Sequence, residues 1–257
     1  MSIVALVQAR MGSTRLPNKV LMGLEGKTIL EHAVERISAS KNVDEAVIVT
    51  TIQKHDLAIV GKCAQLGIRV FCGSENDVLD RFYQAAKLLK PDHVVRALCD
   101  CPLADPRVVD KVIDAHLSAG ADYTSNTIKP TYPDGLDLEI FTFDTLKTAW
   151  KEAKLSSERE HVTPYIYKHP EKFKLLNVEH EKDLSEKRWT VDEEKDYEFV
   201  KQVYKGLSQG SNLFGMEEVL KYLKEHPELE KINQDFARNE GYAKSLQEDR
   251  EVEEGEE

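Results

Sequence analysis

The sequence predicts an α/β protein, a Rossmann-like three-layer sandwich with a mostly parallel sheet between two layers of helices. Three observations carry that expectation. Short apolar, β-branched runs alternate with helical patterns through the first half of the chain. The first of these runs, residues 3–7, is continuously apolar, as a strand buried on both faces must be. The helical patterns also begin and end on residues that satisfy free backbone groups. A chain of 257 residues suffices for one sizeable α/β domain, or for one domain with a subdomain.

The elements follow in order. After the strand at 3–7, Thr28 and Glu31 make a capping box that opens a helix over 28–37. Residues 46–51 read as a strand, and 56–65 as a helix closed by Gly67. A short strand over 68–72 ends at Gly73-Ser74, and a helix over 77–89 stops before Pro91. The strand at 93–98 leads into Cys99-Asp100-Cys101-Pro102-Leu103. Asp105-Pro106 then opens a helix with proline at its first position, and 121–125 is a strand. Beyond this point the rhythm changes. Residues 126–136 hold two prolines and a glycine and read as a loop. Residues 136–141 alternate as a half-buried strand does, 160–168 read as a helix despite Pro164, and 173–178 as a strand. The stretch from about 126 to 187 is therefore expected to be a small inserted subdomain for substrate binding, and the family resemblance given below adds dimerisation through it. Residues 189–192 are expected to return to the main sheet as a short strand, followed by helices over 193–204 and 216–225. The expected unit is 1–240, with 241–257 as an acidic tail or linker.

Composition excludes several classes. Apolar residues make up 41% of the chain, yet no apolar run is long enough to span a membrane. The short apolar start is followed by no cleavage site, so a cytoplasmic protein is expected. The net charge of −11 argues against a nucleic-acid binder, which normally carries a basic face. Cys63, Cys72, Cys99 and Cys101 form no C-x-x-C pair, so buried free thiols are expected in place of a zinc ribbon or a disulfide framework. From 240 onward, eight acids face only Lys244 and Arg250, the pattern of a solvated tail or of a linker to a fused second domain.

The loop after the first strand carries the chemistry. Arg10, Arg15 and Lys19 lie within ten residues, with Gly12 and Ser13 between them. In an open α/β sheet, ligands bind at the carboxyl ends of strands. Gly12 and Ser13 let backbone approach a ligand and offer N–H donors. Cations with backbone donors suit a polyphosphate, most simply a nucleoside triphosphate. The competing reading is a basic surface loop, and the position after the first strand weighs against it. Gly26-Lys27-Thr28 resembles the end of a Walker A loop, but position 21, where that loop needs its first glycine, is Leu21. No strand-linked G-x-G-x-x-G occurs either. A triphosphate calls for Mg²⁺, which takes few protein oxygens. Asp100 and Asp192, each following a strand, are the candidate ligands; the alternative for either is a turn or cap aspartate.

These residues together resemble the CTP-dependent cytidylyltransferases, which include the enzymes that activate acidic eight- and nine-carbon sugars. The motif Gln-Ala-Arg-x-Gly-Ser-x-Arg-Leu-Pro-x-Lys runs from Gln8 to Lys19, with Asp100 before Pro102 and Asp192 late in the chain. The branch named for spore-coat polysaccharide synthesis adds three motifs: Tyr-Pro-Asp-Gly-Leu-Asp-x-Glu at 132–139, Glu-Arg-Glu-His-Val-Thr-Pro at 158–164, and Arg-Trp-Thr-Val-Asp at 188–192. The resemblance spans roughly 3–245. It implies that Arg10, Arg15 and Lys19 bind the triphosphate and carry catalysis, with Gln8, Ala9, Gly12 and Ser13 completing the nucleotide loop. It implies Mg²⁺ on Asp100 and Asp192, and cytosine enclosed near Gly73, Ser74, Asp77 and Arg81, where the sequence departs from the sugar-activating branch. It also suggests a homodimer.

An anionic acceptor oxygen would attack the α-phosphorus of CTP in line and release pyrophosphate, with no protein nucleophile. Asp134, Asp137 and Glu139, near Tyr132, would repel a purely anionic sugar acid. They suit an ammonium group or a second metal, which leans the reading toward a zwitterionic phosphonate such as 2-aminoethylphosphonate. Arg159, Arg188 and Lys129 would meet the acceptor's anion, and Glu158, Glu160 and His161 would organise the pocket. The alternatives are CMP-activation of an acidic sugar, a sugar 1-phosphate nucleotidyltransferase using another nucleotide, and a nucleotide sensor without turnover.

Overall fold

The computed structural model describes residues 1–208 and 213–252. Strand β1 (Ile3–Gln8) is followed by the loop at 9–18 and by a two-stranded ribbon, β2 (Gly23–Leu24) and β3 (Lys27–Thr28). Next come α1 (Ile29–Ser38), β4 (Glu45–Thr51), α2 (Leu57–Leu66), β5 (Val70–Gly73), α3 (Val78–Leu89), β6 (His93–Leu98), α4 (Pro106–Ala119) and β7 (Tyr123–Ser125). The second half holds β8 (Glu139–Thr142), α5 (Phe143–Glu152), α6 (Ser156–His161), α7 (Pro164–Tyr167), β9 (Leu175–Asn177), α8 (Glu194–Leu207), α9 (Met216–Glu225) and α10 (Glu240–Gln247).

Seven strands form one sheet in the order β5-β4-β1-β6-β8-β7-β9. β1 lies at its heart, parallel to β4 and to β6, while β8 runs antiparallel to both β6 and β7. Side chains alternate across the sheet. Ala5 and Val7 of β1 pack with Leu30, Ala33 and Ile37 of α1 and with Val109 and Ile113 of α4. Leu6, one residue out of phase, packs with Leu79 and Phe82 of α3 and Leu146 of α5 on the opposite face. Each fully buried aliphatic side chain contributes roughly 1.5–3 kcal/mol relative to exposure. Two helical layers on a predominantly parallel sheet are the α/β architecture that the sequence predicts.

The expected caps are in place. The Thr28 side chain accepts from the Glu31 N–H in a full capping box, Gly67 ends α2 in the left-handed region, and Asp105 caps α4 with Pro106 at its first position.

Other expectations are corrected. The strand expected over 136–141 begins at Glu139 and is buried, not half-buried, because β8 is wedged inside the sheet. Its polar positions face arginines instead of water, as described below. The stretch 126–187 thus supplies two strands, β8 and β9, to the main sheet. Residues 189–192 do not join the sheet: Trp189 N donates to Asp134 O (2.6 Å) and Val191 N to Asp100 O (2.8 Å). The helix expected over 160–168 is broken into α6 and α7. Pro164 has no N–H to continue a helix, and Val162 takes φ 73° at the break. All four cysteines are free; Cys63, Cys99 and Cys101 are buried, but Cys72 is exposed. The expected acidic tail begins as α10, which packs on α6, and residues 253–257 lie outside the described residues. Among the described residues no helix is long and apolar enough to cross a membrane.

Candidate active site

The loop that leaves β1 is held from the neighbouring strand. Ala9 N donates to Val49 O (3.1 Å), which extends the β1–β4 pairing by one residue. Met11 N then donates to Asp56 Oδ1 (2.7 Å), and this buried carboxylate also accepts from the Thr51 hydroxyl. Ser13 N and Asn18 N both donate to Met11 O, folding the loop back on itself. Asn18 takes the left-handed φ of 62° that turns the chain inward, and Lys19 follows, 93% buried.

Lys19 Nζ donates to Asp100 Oδ2 (2.6 Å) and to Asp192 Oδ1 (2.7 Å), so two carboxylates face one positive charge. Burial alone would lower the ammonium's pKa, but the two carboxylates hold it well above the ordinary lysine range. Burial likewise pushes the Asp192 carboxyl upward, and Lys19, Arg15 and Arg188 outweigh it and hold it below its ordinary value. Arg15 reaches Asp192 at 3.1 Å and lies 3.5 Å from both Glu193 and Glu240.

Residues far apart in sequence position this centre. Asp100 stands at the carboxyl end of β6, beside β1. The Val191 N to Asp100 O bond draws Asp192 to it. Asp196 is fully buried, accepts two bonds from Arg188 (both 2.9 Å), and takes the backbone N–H of Asp192 (3.0 Å) and Glu193 (2.9 Å). Gly135, at φ 105°, crosses so closely that a Cβ would lie 2.6 Å from Thr190 N. The motifs at 132–139 and 188–192 are therefore interlocked, and a side chain at 135 would separate them. On the other side Arg36 is fully buried and donates to Ala104 O (3.1 Å), Phe214 O (2.7 Å) and the Tyr204 hydroxyl (2.9 Å), fixing the loop that follows Asp100.

A cavity of about 610 Å³ opens over this centre, walled by Gln8, Ala9, Arg10, Ser13, Arg15 and Lys19 on one side and by Glu160, His161 and α10 on the other. Gly12 is not among the residues that wall it; a Cβ there would lie 3.5 Å from His55 Nε2. Two smaller spaces adjoin it, of about 190 and 310 Å³, and Asp137 lines both. Burial pushes the His161 imidazole down to about 4, so the ring is neutral at ordinary pH.

The three middle carboxylates already have cationic partners. Arg188 Nη1 reaches Asp134 Oδ2 (3.3 Å), Arg238 pairs with Asp137, and Arg96 pairs with Glu139, which also accepts from Tyr123 and Thr163 hydroxyls (both 2.6 Å). Burial, with Asp134 and Glu139 alongside, pushes the Asp137 carboxyl up to about 7 against the pull of Arg238. The Nε atoms of Arg96 and Arg238 are buried without a hydrogen-bond partner.

Several expected site residues lie elsewhere. Tyr132 is buried in the core with Leu136 and Trp189, its hydroxyl accepting from Lys111 (2.9 Å), because the apolar ring packs inward. Arg159 does not reach the acceptor region; α6 faces α3, so its guanidinium donates to Asp77 Oδ2 (2.9 Å from Nε) and Trp150 O (2.6 Å). Lys129 pairs with Glu179 on the surface. Asp77 caps α3, and Arg81 is buried with Nε on Ser74 O (2.8 Å). A Cβ at Gly73 would meet Arg81 at 2.9 Å. Gly73, Ser74, Asp77 and Arg81 thus lie outside the wall of the 610 Å³ cavity. Burial, and Arg10 next to it, lower Arg81 to about 10.

Sequence reasoning missed Asp56, Arg96 and the C-terminal residues Arg238, Asn239, Glu240, Tyr242 and Lys244. Asp56 carries a local signal, an acid opening the helix after the second strand. The C-terminal residues sit in a stretch whose composition reads as solvated.

Residues 4–236 match the model of a family described as cytidylyltransferase. The chain is 36% identical over 209 residues to the spore coat polysaccharide biosynthesis protein SpsF of Bacillus subtilis, covering 79% of this chain and 86% of that protein. A 3-deoxy-manno-octulosonate cytidylyltransferase of Trichlorobacter lovleyi is 33% identical over 119 residues, 46% of each chain. Among solved structures, a cytidylyltransferase from Leptospira borgpetersenii superposes with a TM-score of 0.85 at 34% identity, covering 93% of this chain and 99% of that one.

Proposed function

The chain belongs to the cytidylyltransferase family, and from that premise we propose that it transfers CMP from CTP to a hydroxyl of an acidic sugar, with release of pyrophosphate. The observation that carries the transfer reading is the Lys19 ammonium between Asp100 and Asp192, at the floor of a cavity rimmed by Arg10 and Arg15. In this reading Arg10, Arg15 and the loop at 9–15 hold the triphosphate, and Lys19 neutralises charge that develops as pyrophosphate departs. Two carboxylates that converge on one positive charge are a donor set that suits Mg²⁺, which fills most of its shell with phosphate and water. Bound there, the metal would add positive charge at the transferring phosphate. The acceptor oxygen attacks the α-phosphorus, the bond to the bridging oxygen breaks, and pyrophosphate takes the electron pair.

The acceptor reading rests on Asp137. A hydroxyl nucleophile must lose a proton, and a carboxyl pushed up to about 7 in the adjoining spaces is suited to take it. A phosphonate oxygen is already anionic and needs no base. The ammonium site expected from Asp134, Asp137 and Glu139 is also weakened, since Arg188, Arg238 and Arg96 already face those carboxylates. The sugar-acid reading therefore stands ahead of 2-aminoethylphosphonate. The test is pyrophosphate release from CTP and Mg²⁺ with 3-deoxy-manno-octulosonate, N-acetylneuraminate or 2-aminoethylphosphonate. Turnover with a sugar acid is expected. Turnover with the aminophosphonate alone would keep the transfer and overturn the acceptor assignment. Equal turnover with ATP or GTP would overturn CTP as the donor.

A further inference from the structure

The segment 237–249 is an unusual wall for a cleft. Its helix, α10, has eight residues and buries no side chain. A helix that short is marginal without tertiary support. It leaves Leu246 43% exposed and turns Glu240, Gly241, Lys244, Ser245 and Glu248 toward the large cavity, one face at helical spacing. What holds it is polar. Arg238 pairs with Asp137 and donates to Tyr132 O (3.0 Å). Ser245 Oγ lies 2.8 Å from Glu160 and 2.9 Å from His161, and Asp249 accepts from the hydroxyls of Ser156 (3.1 Å) and Ser157 (2.8 Å). Arg188 also donates to Ala237 O (3.1 Å), so the arm is tied by polar links to the motifs at 132–139, 158–164 and 188–192, and not to the hydrophobic core.

Two of its residues line the spaces beside the nucleotide cavity, the smaller of which shares Arg15, Asp100 and Asp192 with it. Asn239 and Tyr242 line both smaller spaces beside Asp137 but not the 610 Å³ cavity. Tyr242 stands edge-on to His161, ring centroids 4.9 Å apart. Asn239 has φ 59°, in the left-handed region, and stands at the cap of α10 without its side chain making a capping bond. Among the described residues, an asparagine amide that forgoes the helix end and lines a cavity is a free donor and acceptor for a ligand.

We propose that Asn239 and Tyr242 contact the acceptor directly and determine which acceptor the enzyme takes, so that the C-terminal arm is its specificity wall. This rests on the transfer reading given above. Tyr242, its hydroxyl bonded to Tyr167, offers a ring to a sugar, and Asn239 an amide to its hydroxyls or carboxylate.

Steady-state kinetics on the full chain test it. Asn239→Gly keeps the left-handed backbone and deletes only the amide. Asn239→Asp keeps the shape and adds a negative charge. With 3-deoxy-manno-octulosonate as the probe, Asn239→Gly and Tyr242→Ala should raise the KM for the sugar about tenfold. Asn239→Asp should raise it further, and the KM for CTP should stay within about twofold of wild type. A rise in the CTP KM with the sugar KM unmoved, or no change in either, overturns the proposal. If wild type uses only 2-aminoethylphosphonate, the acceptor class falls, and the same KM split with that substrate decides the arm's role. If neither is used, CTP affinity by calorimetry decides: unchanged binding in all three variants supports the arm lying off the nucleotide, and a tenfold loss overturns it.

Discussion

The two ends of the chain meet at one cleft and are built in opposite ways. The loop at 9–19 hangs from a strand buried on both faces and is fastened by Asp56, by its own backbone bonds and by the Lys19 contacts to Asp100 and Asp192. The arm at 237–249 buries no helical side chain and is fastened by the Arg238–Asp137 ion pair, the Ser245 and Asp249 bonds and the Tyr242–His161 ring contact. The rigid end faces the cavity proposed for the triphosphate, whose geometry would be the same in every turnover. The polar end faces the spaces proposed for the acceptor, where a family with many acceptors needs freedom to change. Preorganised charge belongs on a scaffold that does not move, whereas recognition can be carried by a segment whose loss would leave the core intact.

The comparison is broken most directly at the rigid end. Asp100→Asn and Lys19→Met should each lower kcat by about a hundredfold or more, the scale of a single lost transition-state charge. Circular dichroism and thermal melts should show a folded protein. Lys19→Met also leaves Asp100 and Asp192 facing each other without their counter-ion, so it should lower Tm more than Asp100→Asn does. Turnover near wild type in Asp100→Asn would remove this carboxylate from the reaction.

Asp137 sits where the two ends meet, paired with Arg238 of the arm, and it sharpens the comparison through pH. Asp137→Asn should lower kcat by about a hundredfold, as for loss of a general base, and abolish the rise in rate as pH passes about 7. Its effect on stability has the opposite sign. The folded carboxyl holds its proton more tightly than the unfolded one, so wild type loses stability as pH rises from the ordinary carboxyl range to about 7. Asp137→Asn removes that loss and should melt relatively higher above pH 7. A variant that retains the acid limb of the rate profile would rule Asp137 out as the base.

Gly135 tests whether the interlock between 132–139 and 188–192 matters as the geometry demands. Gly135→Ala must accept φ 105° and a contact of 2.6 Å with the backbone of Thr190. Strain of that kind costs on the order of 2–3 kcal/mol, read as a fall in Tm of roughly 5–10 °C. Activity should fall with it, because Asp192 is carried by the segment that is pushed aside. An unchanged Tm would mean that the two segments yield freely.

What was legible in the sequence follows the same division. The strand at 3–7, the Thr28 cap and the cationic loop announce themselves locally, since a strand, a cap and a loop are set by neighbours in sequence. Asp100 and Asp192 were legible because each follows an apolar run. The middle region misled for a physical reason. Alternation at 136–141 normally means one wet face, but Asp137 and Glu139 point at Arg238 and Arg96, so the polar positions are buried ion pairs. Arg238 lies 101 residues from its partner, and no local pattern registers such a pairing. The arm was least legible. Its acids read as solvent-facing, yet Glu240 and Glu248 line the large cavity and Asp249 accepts from Ser156 and Ser157, contacts set by the phase of a short helix and the turn after it.

The smallest expected effect lies at the one direct ion pair that joins the two ends among the described residues. Glu240 Oε2 stands 3.5 Å from Arg15 Nη1, and both side chains are more than one-third exposed, so the pair is weak and sensitive to salt. In the substrate-free enzyme this carboxylate stands near the guanidinium that a triphosphate would claim. Glu240→Gln keeps the side-chain oxygen that accepts from Ala237 N (3.1 Å) and removes the charge. The KM for CTP should then fall by up to about fivefold at low ionic strength. At 0.15 M salt the difference should shrink toward nothing, and kcat and the acceptor KM should stay unchanged. An increase in the CTP KM would mean that Glu240 helps to hold the nucleotide. The arm would then belong to the rigid end's task, and the contrast between the two ends would fail at the one point where they touch.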